Sequence, residues 1–398
     1  MLKKLGLLPR LIIAIILGII LGKVAPQIII AILATFNGLF GNFLNFVIPL
    51  IIVGFVVPGI ADLGKDAGKA LGITAGLAYG STVTFGTITF FVASMFLPTF
   101  IDSNGAAFDP TAGGREAVAA IFESPMEPLF GVTTALIISF ILGVGIASLE
   151  KGEVLKKAVH EFSDIITKLI SKIIIPLLPI HIMGIFANMS YTGEVERVLG
   201  VFAKVFVMVI LLHIATIFIQ YLIASLIGGG NPVSKIKTIF PAYMTAIGTQ
   251  SSAATIPVTL NQTYKMGVEK GVADFVIPLC ATIHLSGSTI TLLSCSMAIM
   301  LLNGITPTFG AILPFILMLG VTMVAAPGVP GGAVMAALGI LETMLGFTQP
   351  MLGLMIALYV AQDSFGTACN ISGDGAIAVI VNKISGYELT PETYEELI

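Results

Sequence analysis

Long apolar runs dominate this chain, and they constrain its fold before any motif is considered. Runs long enough to span a bilayer, which takes about 20 residues as helix, occur at 8–24, 28–62, 66–98, 129–148, 163–192 and 195–227. Several exceed a single span, which implies tilting or breaks, and Pro49, Pro58 and Pro176 mark the expected breaks. Of the 398 residues only 10% are charged, against about 25% in a soluble domain. So few charges cannot cover a water-facing surface, so the chain reads as an all-α polytopic membrane protein. Its net charge of −3 gives no reason to expect a nucleic-acid partner.

After Gly228-Gly-Gly-Asn-Pro232 the pattern changes. Segments 232–263 and 306–345 are apolar but interrupted by small, polar and proline-rich tips, at Gly248–Pro257 and Ala326–Gly332. Each is followed by a long apolar segment, 270–303 and 349–382. Each of these carries a polar patch that is expected to break it, at 284–288 and at 361–380. Paired interrupted segments in matching positions point to a transporter binding site at an inverted-repeat interface. Eight spans plus two re-entrant hairpins also satisfy the positive-inside rule. They put Lys3, Lys4, Arg10, Lys65, Lys69, Lys151, Lys156, Lys157, Lys235, Lys237, Lys265, Lys270 and Lys383 in the cytoplasm with both termini. The acidic 101–128 loop, with Asp102, Asp109, Glu116, Glu123 and Glu127, is then external. The N-terminal apolar run has no small-residue cleavage site, so it reads as a retained first span.

The patch at 361–380 holds the most chemistry. Asp363, Thr367, Asn370 and Asp374 are spaced four, three and four apart, which places them on one face of a helix. Lipid cannot solvate such a stripe, so it must face protein or water, and an intramembrane carboxylate marks a functional site. Cys280, Cys295 and Cys369 show no paired spacing, and His160, His181, His213 and His284 show no metal-ligand spacing. A Ser252–His284–Asp363 hydrolase triad is a distant alternative without a Gly-x-Ser-x-Gly elbow. An ion channel is another, while no phosphate-binding Gly-x-x-x-x-Gly-Lys-Ser/Thr loop supports a primary pump.

Four motifs carry a family resemblance. They are Gln250-Ser-Ser-Ala-Ala-Thr-Ile-Pro257, Pro278-Leu-Cys-Ala-Thr-Ile-His-Leu-Ser-Gly-Ser288, Gly328-Val-Pro-Gly-Gly332 and the 361–380 patch. In this order they resemble the two hairpin tips and the last two helices of the dicarboxylate/amino acid:cation symporters. The resemblance implies a glutamate-transporter-like elevator fold and a homotrimer in a prokaryotic inner or plasma membrane. It also implies a scaffold (1–62 and 129–192) beside a transport domain (193–398, with most of the span in 63–128). Substrate would meet Ser251, Ser252, Val329, Gly331, Asp363, Gly366, Thr367 and Asn370, with Asp363 holding its ammonium. A coupled cation would sit among Cys280, Thr282, His284, Asn370 and Asp374, with no further cofactor.

The departures from the family pattern matter as much. Gly366 and Gln250 stand where members that carry acidic substrates place arginines, and no Lys or Arg occurs between Lys270 and Lys383. A buried substrate carboxylate with no cationic partner costs several kcal/mol, roughly. The expected substrate is therefore a neutral amino acid, alanine-, serine- or threonine-like or larger and apolar. A dicarboxylate is the weaker alternative. Ser286 and His284 replace a family Asp and Asn, and Val83 replaces a Ser beside Tyr79 and Thr82, so fewer Na⁺ sites are expected. Proton coupling or no coupling is the alternative, since histidine changes charge near neutral pH.

Overall fold

The computed structural model describes residues 7–62, 69–101, 115–149, 152–193, 195–324, 326 and 330–384. Lys3, Lys4, Lys65, Lys151, Asp102, Asp109 and Val329 lie outside the described residues. The described residues are helical, without a strand. In the first half run α1 (Leu7–Val24), α2 (Gln27–Asp62), α3 (Lys69–Phe100), α4 (Val132–Ser148), α5 (Glu153–Leu169), α6 (Ile175–Thr192) and α7 (Val195–Gly228). There follow α8 (Pro232–Thr249), α9 (Ser252–Lys265), α10 (Lys270–Ile283), α11 (Ser286–Leu302), α12 (Phe309–Val324), α13 (Gly332–Leu345) and α14 (Gln349–Ile384).

Among the described residues six helical stretches are long and apolar enough to cross a membrane. They are Gln27–Ala61, Leu71–Phe100, Glu153–Thr192, Val198–Gly228, Lys270–Leu302 and Gln349–Ile384. The outward faces of α1 and α7 leave Ile12, Ile16, Leu17, Ile20, Val207, Leu211, Ile214 and Phe218 exposed, a surface suited to lipid.

Three expected breaks are absent. Pro49 and Pro58 lie inside an uninterrupted α2. A proline removes one backbone donor, and neighbouring groups can take up the freed carbonyl. The polar patch at 361–380 likewise does not break its helix, for α14 runs unbroken through all 36 residues. The stretch contains no proline; Asp363, Asn370 and Asp374 find partners on other elements, while Ser372 and Gln362 turn back to carbonyls of α14. Pro176 does fall at an irregularity, directly after a π-helical turn at Ile170–Ile174 that joins α5 to α6.

Two pairs of consecutive helices pack against each other. α8 and α9 pack together across a turn at Gln250-Ser251, and α12 packs on α13. Asn231 caps α8 by accepting from the N–H groups of Val233 and Ser234. Gln250 takes φ +53°, so the turn holds a non-glycine residue in the left-handed region, a strained conformation.

In the middle of this arrangement lies α14, the most enclosed helix together with the α10–α11 pair, touching α7, α8, α10, α11 and α13. Tyr221, Ile239, Ala246, Val276, Cys280 and Ile380 form one apolar cluster around its second half. Its first half joins a larger cluster that includes Leu97, Phe186, Leu292, Phe315 and Tyr359.

Candidate substrate and cation site

All four residues of the stripe are buried. Asp363 is 4% exposed, Thr367 6%, Asn370 2% and Asp374 1%. Buried carboxylates need donors or cations, and each Asp meets a different kind.

Asp363 faces the second hairpin. Its Oδ2 accepts from the backbone N–H of Gly331 at 2.7 Å. Gly331 has φ +74° and stands at the N-cap of α13, a conformation that costs a glycine nothing.

One turn further, Asn370 holds the beginning of α11. Its Oδ1 accepts from the N–H groups of Gly287 (2.8 Å) and Ser288 (3.2 Å), and its Nδ2 donates to Ser288 Oγ at 2.9 Å. Tyr359 donates to the same hydroxyl at 2.9 Å. The amide expected beside a substrate carboxylate is thus engaged in capping a helix. Here α11 and α14 also cross closely: a Cβ on Gly287 would lie 2.5 Å from the carbonyl oxygen of Gly366. A Cβ on Gly366 would meet only ordinary contacts, Ser288 N and Thr291 Oγ1 at 3.6 Å.

Asp374 faces the break between α10 and α11. His284 ends α10 in extended backbone (φ −109°, ψ 92°) and brings its Nδ1 to 2.9 Å from Asp374 Oδ1. Its Nε2 lies 3.0 Å from Ser81 Oγ and 3.4 Å from Gln220 Nε2. Gln220 donates in turn to Ser81 Oγ at 3.1 Å and Ser286 Oγ at 3.3 Å. Asp374 Oδ2 and Gln220 Oε1 have no hydrogen-bond partner.

The structure does not bring every expected residue to the stripe. Ser251 caps α9 by accepting from Ala254 N–H, and Ser252 is buried in the first turn of α9, which packs on α14. Cys280 is buried, and its carbonyl accepts from His284 N–H. Thr282 is exposed, its hydroxyl turned back to the Leu279 carbonyl. On α3 the Tyr79 hydroxyl donates to Leu317 O and the Thr82 hydroxyl to Ala78 O, so Ser81 between them is the α3 residue that reaches His284. Ser252, His284 and Asp363 do not form a triad, since His284 pairs with Asp374 and Asp363 with Gly331.

Ser81 and Gln220 are the site residues that reading the sequence missed. Gln220, a lone amide in the apolar run Ile217-Phe-Ile-Gln-Tyr-Leu-Ile223, was the available signal. A cavity of about 460 Å³ lies elsewhere, bordered by Asn37 of α2, His181 and Asn188 of α6 and Gln349 of α14.

The stripe thus carries two buried carboxylates, one meeting Gly331 at the start of α13 and the other meeting His284 at the α10–α11 break. The model of the sodium:dicarboxylate symporter family matches residues 7–384. The chain belongs to this family. With its long apolar helices it is accordingly a multi-pass membrane protein.

Excitatory amino acid transporter 2 of Mus musculus is 29% identical over 282 residues, which cover 69% of this chain and 49% of that protein. The human protein of the same name is 28% identical over 282 residues, covering 69% and 48%. The L-cystine uptake protein TcyP of Shouchella clausii (strain KSM-K16) is 26% identical over 373 residues, covering 85% of this chain and 78% of that protein. The chain thus spans about half the length of the excitatory relatives.

Proposed function

We propose that this symporter-family member is a secondary carrier for a neutral amino acid. The observation that carries the reading is the charge of the site. Asp363 and Asp374 are both buried on α14, and no Lys or Arg occurs between Lys270 and Lys383. A zwitterion meets this site favourably, with its ammonium at Asp363 and its carboxylate near hydroxyls and helix-end N–H groups. A second carboxylate without an ammonium of its own, as on glutamate or aspartate, would find no cation. Cystine, named in one relative, carries no net charge as a double zwitterion and belongs among the candidates with alanine, serine, threonine and methionine. The family resemblance supports a homotrimer with an elevator motion of residues 193–398 against a scaffold of 1–62 and 129–192.

For the driving ion, the sequence supports Na⁺ at a reduced number of sites, with Asp374 as the anchor. A specific observation favours a second reading, coupling to protons or to no ion. The His284 imidazole already occupies one oxygen of Asp374 at 2.9 Å, whereas a hard cation is bound by oxygen ligands.

Uptake into proteoliposomes across twenty amino acids and cystine, with Na⁺ and pH gradients imposed separately, tests both parts. Neutral substrates are expected to accumulate, and glutamate and aspartate to be ignored. Selective uptake of glutamate would defeat the substrate reading.

A further inference from the structure

We infer that His284 is a built-in plug: its imidazole fills an oxygen-lined cage around Asp374 that would otherwise take Na⁺, and so removes Na⁺ from that site. The inference deepens the second reading of the driving ion. It rests on how the ring is seated. A buried carboxylate requires a donor or a cation, and the ring supplies the donor to Asp374 Oδ1 at 2.9 Å.

The opposite edge of the ring meets Ser81 Oγ and the amide of Gln220. A carboxylate only accepts, so the ring donates from Nδ1 to Asp374 Oδ1, and its Nε2 edge is bordered by Ser81 and Gln220. Gln220, from α7, is therefore a positioning residue for the plug.

The seat is cut to the shape of the ring. A Cβ on Gly373 would lie 2.5 Å from His284 Cε1 and 2.7 Å from Gln220 Oε1, so the absence of a side chain at 373 is what admits the imidazole. Removing the ring uncovers Asp374 Oδ1 and Ser81 Oγ, with the Gln220 amide nitrogen beside them. Asp374 Oδ2 and Gln220 Oε1 lack a hydrogen-bond partner even with the ring in place. Oxygen donors around a carboxylate are what a hard cation prefers.

The test needs no substrate, so it can fail independently of the neutral amino acid reading. The melting temperature of the purified full-length protein is measured in NaCl and in choline chloride at equal ionic strength, for wild type and His284→Ala. An ion that binds only the folded state raises stability as its concentration exceeds its Kd. The expected result is a larger Na⁺-dependent rise in His284→Ala than in wild type. His284→Ser, which keeps a polar group at the site, serves if the alanine variant does not fold. An equal or smaller Na⁺ response in the folded variant overturns the proposal.

Discussion

Asp363 on α14 accepts a 2.7 Å hydrogen bond from the backbone N–H of Gly331, the residue from which α13 begins. The carboxylate proposed to hold the substrate ammonium is therefore also the one that holds a hairpin tip. Ammonium binding and tip position are linked through one side chain.

If that link is functional, Asp363→Asn removes the charge while keeping the shape and an acceptor oxygen. The expected outcome is loss of saturable amino acid uptake in proteoliposomes from a protein of unchanged yield and oligomeric size. A variant that transports at the wild-type rate refutes the ammonium assignment.

Gly366 allows a sharper substitution. A Cβ there meets nothing closer than 3.6 Å, so the backbone admits a side chain. An arginine would place a cation beside the stripe, where it can pair with a carboxylate in a bidentate manner. Gly366→Arg is expected to raise the affinity for glutamate or aspartate at least tenfold relative to alanine, measured by competition for uptake. No change in the ratio of the affinities would mean that position 366 does not face the substrate.

How much of this site the sequence shows depends on whether its partners share a helix. The spacing of Asp363, Thr367, Asn370 and Asp374 is a local property, and the structure keeps all four on one buried face of α14. The partnership of His284 with Asp374 spans 90 positions and two elements, and periodicity says nothing about which helix lies beside which. Gln220 and Ser81 escaped notice because a single small or amide side chain in an apolar run ordinarily reads as contact between membrane helices. The expected break at 361–380 failed for the opposite reason. Polar residues suggest an interrupted helix, but Asp363, Asn370 and Asp374 bond to Gly331, α11 and His284, and the hydroxyl of Ser372 bonds a carbonyl one turn back, so the α14 ladder stays intact.

Asn370 provides a prediction about stability. Its side chain satisfies Gly287 N–H, Ser288 N–H and Ser288 Oγ, all buried. Asn370→Ala leaves the two N–H groups without this acceptor, while Ser288 Oγ keeps Tyr359, and an unsatisfied buried group costs about 1–3 kcal/mol. The variant should melt at a lower temperature in detergent, and Asn370→Asp, which retains the acceptor oxygen, should recover part of the loss. A melting curve that overlays wild type for the alanine variant contradicts the capping role.

The close packing of α1 on α6 gives a prediction remote from the site. A Cβ on Gly22 would fall 2.6 Å from Ser190 Cβ and 2.9 Å from Tyr191 N, and it would also collide with the carbonyl oxygen of Ala187. Backbone atoms of a packed helix cannot give way as the end of a long side chain can, so α1 as a whole must move. Small residues at such crossings let membrane helices approach through van der Waals contact, and overpacking a tight contact costs about 1–3 kcal/mol. Gly76 of α3 is the internal control, since a Cβ there meets nothing within 4 Å and alanine in a helix is favoured over glycine by roughly 1 kcal/mol. Gly22→Ala should therefore lower the melting temperature and the yield of folded protein, whereas Gly76→Ala should leave both unchanged or slightly raised. Neither should alter which amino acids compete for uptake, because neither residue touches the α14 stripe. Equal melting temperatures for the two variants would show that α1 and α6 are not held as tightly as their backbones imply.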